Sequence, residues 1–301
     1  MAVERELEIS GGTLKYILER GKITVSGLVA ASGKIEIPDS IEDMPVTRIE
    51  KKALLSCKQV RELYLPSCLE EIGDWAFAYC SHLQKVYMPG HRLSLGKGIF
   101  KECERLEGIF LLSEQSKEKM QAGYLLGAVP VILEADYLFT PEEMGERVWV
   151  ARFDDRLEFF LNQPDEEGYV KQVYCGEEDI MSNLDLYLAE RKRIKSRLCF
   201  MRLIHDVFLE DAFRTKLESY LSEHTKGCES EAAWEVLYKE RGSEKSYYEV
   251  FTQAGCVTEE NYHEILTDMG ETYPEMKAYL MSYKAEQMEG EDFFSSLSLD
   301  F

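Results

Sequence analysis

The sequence predicts an α+β protein, a short solenoid with a 23-residue period followed by an all-α helical domain. Three observations carry this prediction. Three segments of the first half align without gaps at a spacing of 23 residues. The second half loses that period and shows apolar residues at spacings of three and four. The charge is also divided. The 301 residues include 56 acidic and 35 basic side chains, a formal charge of −21. Residues 1–134 hold 17 basic and 19 acidic groups, whereas residues 135–301 hold 18 and 37, so the halves carry −2 and −19. An apolar content of 45% with 11% aromatics supplies two sizeable cores and excludes a disordered chain. The net charge argues against general binding to nucleic acid or to an anionic membrane, because the long-range field repels polyanions.

The repeated segments are Ile49–Pro66, Ile72–Pro89 and Leu95–Leu112. Apolar residues recur at seven equivalent columns, 49/72/95, 53/76/99, 54/77/100, 57/80/103, 60/83/106, 63/86/109 and 65/88/111. The pairs Leu63/Leu65, Val86/Met88 and Ile109/Leu111 alternate with period 2, as short strands with one buried face do. Pro66 and Pro89 follow the first two strands and end their ladders, since proline has no N–H to donate. The preceding Ala-(Leu/Phe)-x-x-Cys stretch has the spacing of a short helical turn on the opposite wall. No single unit buries its own apolar faces, so the units must stack.

Residues 72–89, Ile-Gly-Asp-Trp-Ala-Phe-Ala-Tyr-Cys-Ser-His-Leu-Gln-Lys-Val-Tyr-Met-Pro, resemble the BspA-type leucine-rich repeat family. So does Ile35–Ile49, a longer opening unit of the kind that family shows, and Leu14–Gly27 is similar to its β-hairpin-like cap. The resemblance spans residues 10–112 and implies a leucine-rich repeat solenoid from a bacterial source. Ala53-Leu54 and Ile99-Phe100 depart from the usual Ala-Phe. Because the family spans surface adhesins and many uncharacterised proteins, the resemblance implies a binding role without naming a partner. An exported adhesin is the alternative it carries. The charged start, Met1-Ala-Val-Glu-Arg-Glu-Leu-Glu, shows no apolar h-region and leads to the expectation of a cytoplasmic protein. The eight cysteines contain no C-x-x-C pair, which also suits a reducing compartment. Gly123–Leu133, the longest weakly polar stretch, is too short to span a bilayer.

Strand alternation creates an outward column. With 63/65, 86/88 and 109/111 inward, Tyr64, Tyr87 and Phe110 point out, with Glu36 beside them in the opening unit and Glu62, Lys85 and Gly108 alongside. The column is either a protein-binding strip, since aromatics dominate interface hot spots, or a set of rings packed on one another or under a terminal segment. Cys57, Cys80 and Cys103 are in register but form a row rather than a tetrahedron, and so read as core residues without a metal.

In the second half, Glu146–Phe153 reads as a last strand or a linker, and Asn162–Gly168 as a turn-rich loop. The expected organisation is a repeat domain over 1–134, a connecting segment over 135–154, an acidic helical domain over 155–290 and a flexible tail over 291–301. Helices are expected over 184–207, 212–221, 247–255, 259–269 and 275–288. Gly255 suits a C′ position, Thr258 an N-cap and Pro274 a first turn. The 247–284 helix–loop–helix rhythm is similar to ankyrin-type pairs, although the Thr-Pro-Leu-His signature is absent. Arg191-Lys-Arg-Ile-Lys-Ser-Arg197 reads as a solvated helix face pairing with Glu177, Glu178 and Asp179, rather than as a nucleic-acid contact.

No catalytic motif stands out. The five histidines are scattered, and the nucleophile-elbow, phosphate-loop and zinc-protease patterns are absent. Cys175-Gly-Glu-Glu-Asp179 places carboxylates beside a thiol without a base to activate it. The reading is a non-enzymatic protein-interaction module needing no cofactor, which binds a protein partner through the sheet face at Glu36, Glu62, Tyr64, Lys85, Tyr87 and Phe110. An enzyme with a site that no motif betrays is the remaining alternative. The acidic half would favour a basic partner.

Overall fold

The computed structural model describes residues 3–103, 105–112, 123–132, 145–169 and 183–288. The chain forms two compact units, residues 1–158 and 159–301.

The first unit opens on an antiparallel meander, β1 (Glu4–Ile9), β2 (Gly12–Glu19) and β3 (Lys22–Ala30). This three-stranded cap is larger than the hairpin expected from Leu14–Gly27. Beyond it the chain coils. One wall is a parallel sheet in the spatial order β11 (Gly108–Leu112), β9 (Lys85–Pro89), β7 (Glu62–Tyr64) and β4 (Lys34–Glu36). Its register, Glu62↔Lys85↔Gly108 and Leu63↔Val86↔Ile109, is the 23-residue period made physical. A second wall stacks β6 (Met44–Ile49), β8 (Glu71–Ile72) and β10 (Ser94–Leu95) in parallel and joins the cap through β3. The extra length of the opening unit is a small hairpin, in which β5 (Ser40–Ile41) pairs with β6. The seven apolar columns face the interior. Among their members only Leu95, Leu106 and Cys57 are half-buried, and these lie in the first and last of the three aligned repeats.

The third wall corrects the expectation of a short helical turn. Residues 50–57 and their equivalents make successive tight turns, with left-handed φ at Lys52, Trp75 and Gly98 and again at Ser56, Tyr79 and Glu102. The left-handed residues turn alternate N–H groups toward the next coil. Lys52, Leu54 and Ser56 donate to the carbonyls of Asp74, Ala76 and Ala78, and Trp75, Phe77 and Tyr79 donate to Lys97, Ile99 and Lys101. An α-helical turn would direct those bonds within its own coil. The apolar spacing holds, but only the intervening N–H groups, such as Ala53, Leu55 and Cys57, bond within their own coil, three residues back, while the alternate ones bond between coils.

The helix α1 (Gly123–Ile132) lies across the outer face of β11. A Cβ on Gly127 would stand 2.7 Å from the Gly108 Cα, so glycine at both positions permits this close approach. The segment 146–153, expected as a strand or linker, is the first half of the helix α2 (Glu146–Asn162). Trp149, Phe153, Leu157 and Phe160 are all buried on its 3.6-residue period. No helix among the described residues is long and apolar enough to cross a membrane.

The second unit is helical. Its elements are α3 (Leu184–Ile204), α4 (Asp211–Glu223), α5 (Ala232–Glu235, continuing as a π-helix over Val236–Glu240), α6 (Lys245–Gln253), α7 (Glu259–Met269) and α8 (Pro274–Tyr283). Thr258 caps α7 in a reciprocal box with Asn261, Gly255 is left-handed beyond α6, and Pro274 occupies the first turn of α8, as the sequence indicates. The sequence reading missed α5, whose Ala232, Ala233 and Trp234 are buried and whose Trp234 indole donates to Asp268. Residues 170–182, with Cys175, Glu177, Glu178 and Asp179, and the expected tail 291–301 lie outside the described residues.

The basic run is not a solvated face. The Lys195 side chain is 4% exposed and donates to Asp165 at 2.6 Å and to the Gln163 carbonyl at 2.7 Å. Arg193 and Arg197 both grip Glu190 at 2.7 Å, and they extend to Glu235 and Glu240. Arg191 lies 4.0 Å over the Phe160 ring and bonds Gln163. This stretch of α3 thus faces its neighbours, and Arg193, Lys195 and Arg197 are paired inside the unit. Burial pushes the Glu190 carboxyl up, but Arg197 and Arg193 outweigh it and hold the group below the usual carboxylate range. A depressed folded-state pKa stabilises the fold above the ordinary carboxylate value and is lost as pH falls through the folded one. Glu190→Gln is therefore expected to flatten the fall of the urea midpoint between about pH 5 and about pH 3. An acid limb as steep as that of the wild type would contradict this assignment.

Candidate interaction surface

The outer face of the β4–β7–β9–β11 sheet carries two rows in register. One is Glu36, Tyr64, Tyr87 and Phe110, and the other is Lys34, Glu62, Lys85 and Gly108. The sequence placed Glu36 as the neighbour of Tyr64, and Glu36 is paired directly with Tyr64 across the sheet. The opening unit is longer, so this pair is 28 residues apart instead of 23.

The aromatic rings stack on one another. Tyr64 and Tyr87 are nearly parallel with centroids 4.2 Å apart, and Tyr87 and Phe110 follow at 5.2 Å. The Lys34 ammonium closes one end at 4.7 Å from the Tyr64 centroid. Tyr124 of α1 closes the other, edge-on to Phe110 at 5.2 Å. Phe110 points outward as expected, but as a contact residue it is corrected: of the two readings, rings packed on one another and under a further segment is the one that holds for it. Its side chain is 6% exposed because α1 rests on it, and Gly123 and Gly127 bring the helix backbone down to the strand. Tyr64 and Tyr87 remain half-exposed and present ring edges and hydroxyls, since their faces are occupied. The Tyr64 hydroxyl donates to Glu62 at 3.4 Å, and burial pushes the Tyr87 phenol up. Glu36 and Lys34 are exposed, and Glu62 and Lys85 are half-exposed. Chemically the surface offers phenol donors between charges of alternating sign, Lys34, Glu62 and Lys85. It provides hydrogen bonding, ion pairing and apolar edge contact, with no nucleophile–base pair.

Sequence reasoning missed two members of this surface. Lys34 was legible, because Lys34-x-Glu36 occupies the place of Glu62-x-Tyr64 once the opening unit is allowed five more residues. Tyr124 lies beyond the last repeat, and nothing in the period points to it.

The cysteine column is a structural device. The Cys57, Cys80 and Cys103 thiols donate to the carbonyls of Leu28, Leu54 and Phe77, each belonging to the preceding layer of the stack. Burial pushes the Cys80 and Cys103 thiols up to about 12, so they are protonated and unreactive at neutral pH. Among the described residues, no group of three histidine, cysteine or carboxylate side chains is placed to hold a metal ion.

A coiled stack of short parallel strands with one period per coil defines the leucine-rich repeat class. Residues 32–122 match the BspA type Leucine rich repeat region (6 copies), and this part of the chain is a repeat region of that family. Solved structures similar to this chain include a T. pallidum Leucine Rich Repeat protein. It is 25% identical, with 35% of this chain and 49% of that chain covered and a TM-score of 0.32. A leucine rich cell surface protein from Faecalibacterium prausnitzii A2-165 is 22% identical, covering 34% and 29%, with a TM-score of 0.29. A leucine-rich repeat protein from Bacteroides capillosus ATCC 29799 is 25% identical, covering 34% and 78%, with a TM-score of 0.30. The chain spans about half the length of the first of these. No curated protein matches the sequence.

Proposed function

We propose that the repeat unit is a non-enzymatic protein-binding module that contacts its partner through the sheet face at Glu36, Glu62, Tyr64, Lys85 and Tyr87. The single observation behind this reading is the in-register pair of rows, half-exposed tyrosine edges flanked by charges of alternating sign. Repeat solenoids present such stacked columns as binding surfaces, and tyrosine supplies both apolar area and a hydrogen bond at little entropic cost. Phe110 serves the surface from beneath, by ending the stack against α1.

The test is affinity capture from the native cell with the wild type and a Tyr64→Ala/Tyr87→Ala variant. Loss of a specific partner from a variant with unchanged circular dichroism is the expected result. Equal recovery of every captured protein by that variant would remove the sheet face from the reading. Recovery of the native protein at the cell surface would favour an adhesin over an intracellular module.

A further inference from the structure

The turn wall carries the most accessible tryptophan of the molecule. Trp149 and Trp234 are buried, whereas Trp75 is 37% exposed, with Tyr79 and Leu55 nearly equal to it. Trp75 stands in the column Lys52, Trp75, Gly98, and Tyr79 in the column Ser56, Tyr79, Glu102, each locked by the coil-to-coil hydrogen bonds. The Lys52 ammonium lies 5.3 Å from the Trp75 centroid and that of Lys101 lies 5.9 Å away. Gly98 leaves room for the indole, whose Nε1 would be 3.3 Å from a Cβ at that position. Lys51 and Lys97 flank this group and are exposed. The carboxylates nearby are Glu50, Asp74 and Glu102, and Asp74 is engaged by the Lys97 backbone N–H at 2.8 Å. Lys52 and Lys101 thus lie near a part-exposed indole, and the exposed Lys51 and Lys97 stand on the same turns together with Glu50, Asp74 and Glu102.

We infer that this turn wall is a second docking surface, separate from the tyrosine face, and that its occupant is an acidic polypeptide segment bearing apolar side chains. Carboxylates answer the exposed Lys51, Lys52 and Lys97, and an apolar side chain covers the Trp75 indole beside Leu55 and Tyr79. The indole is held in place before binding, so little side-chain freedom is lost there, and tryptophan is the residue most enriched at interface hot spots. The negative far field of the whole chain opposes a long polyanion, whereas at contact the nearby lysines dominate because salt screens the more distant charges, which favours a short acidic segment over a nucleic acid.

The experiment uses the full chain and a fluorescent synthetic peptide of repeated Glu-Glu-Leu, followed by polarisation in about 50 mM salt. Saturable binding is expected. It should weaken at least about tenfold in Lys52→Glu/Lys97→Glu and in Trp75→Ala, and stay unchanged in Tyr64→Ala/Tyr87→Ala. A Lys-Lys-Leu peptide that binds as well overturns the inference, as does full affinity in a folded charge-reversal variant. A uridine oligonucleotide of equal length that displaces the peptide would assign the wall to nucleic acid instead. Should the variants unfold, the wild type decides alone. Peptide affinity that does not change between about 50 mM and about 300 mM salt, or peptide that leaves Trp75 emission unaltered at saturation, refutes the proposal.

Discussion

Phe77→Ala is expected to destabilise the repeat unit by about 3–5 kcal/mol. Phe77 is fully buried, and its ring packs against Phe100 of the next coil at 5.5 Å. It lies beneath the turn wall, where its own backbone N–H donates to Ile99 and its carbonyl accepts the Cys103 thiol. Truncation removes the ring from a site that cannot collapse, because the coil backbones above and below are tied by those bonds. The cavity cost adds to the transfer cost. The urea midpoint of the full chain reads the effect, with Lys58→Ala, an exposed position near the same wall, expected to stay within about 0.5 kcal/mol of wild type. A Phe77→Ala midpoint equal to that of Lys58→Ala would contradict a packed solenoid interior.

The second large effect lies in the helical unit. Asp165→Ala leaves the nearly buried Lys195 ammonium with one neutral acceptor, the Gln163 carbonyl, and is expected to cost about 3–5 kcal/mol. Most of that cost comes from an uncompensated charge, not from the intrinsic worth of the pair. Replacing both partners, as in Asp165→Ala/Lys195→Met, should therefore recover most of the loss. A double variant whose cost equals the sum of the single ones would show that the two side chains act independently.

These effects also mark what was legible in the sequence. The solenoid could be read because stacking forces identical surroundings on equivalent residues, so Leu63, Val86 and Ile109 must agree. The caps of α7 and α8 could be read because Thr258 and Pro274 act locally. The errors came where a local signal met a longer-range one. Val148, Trp149 and Val150 favour a strand by composition, yet the burial of Trp149, Phe153, Leu157 and Phe160 every three or four residues makes a helix. The run Arg191–Arg197 looks like a solvent face by charge alone. Its partners Asp165, Glu235 and Glu240 are 30 to 43 residues away in sequence and only the fold brings them together. The covering of Phe110 by Tyr124 was invisible for the same reason. The αL positions of the turn wall were hidden because only one of them, Gly98, is a glycine.

The helix α1 sets the reach of the sheet surface. It occupies the β11 strip, so the open breadth runs from β4 to β9, two inter-strand gaps or about 10 Å. That width matches one α-helix or one extended segment laid along the strands. A footprint of this size is far below the roughly 800 Å² per partner of a stable complex. If the proposed reading holds, the tyrosine face would serve as a foothold for a short linear motif with a fast off-rate. Durable attachment through that face would then require a second engagement elsewhere on the chain, or several copies of the motif in the partner, with effective concentration supplying what the contact area lacks.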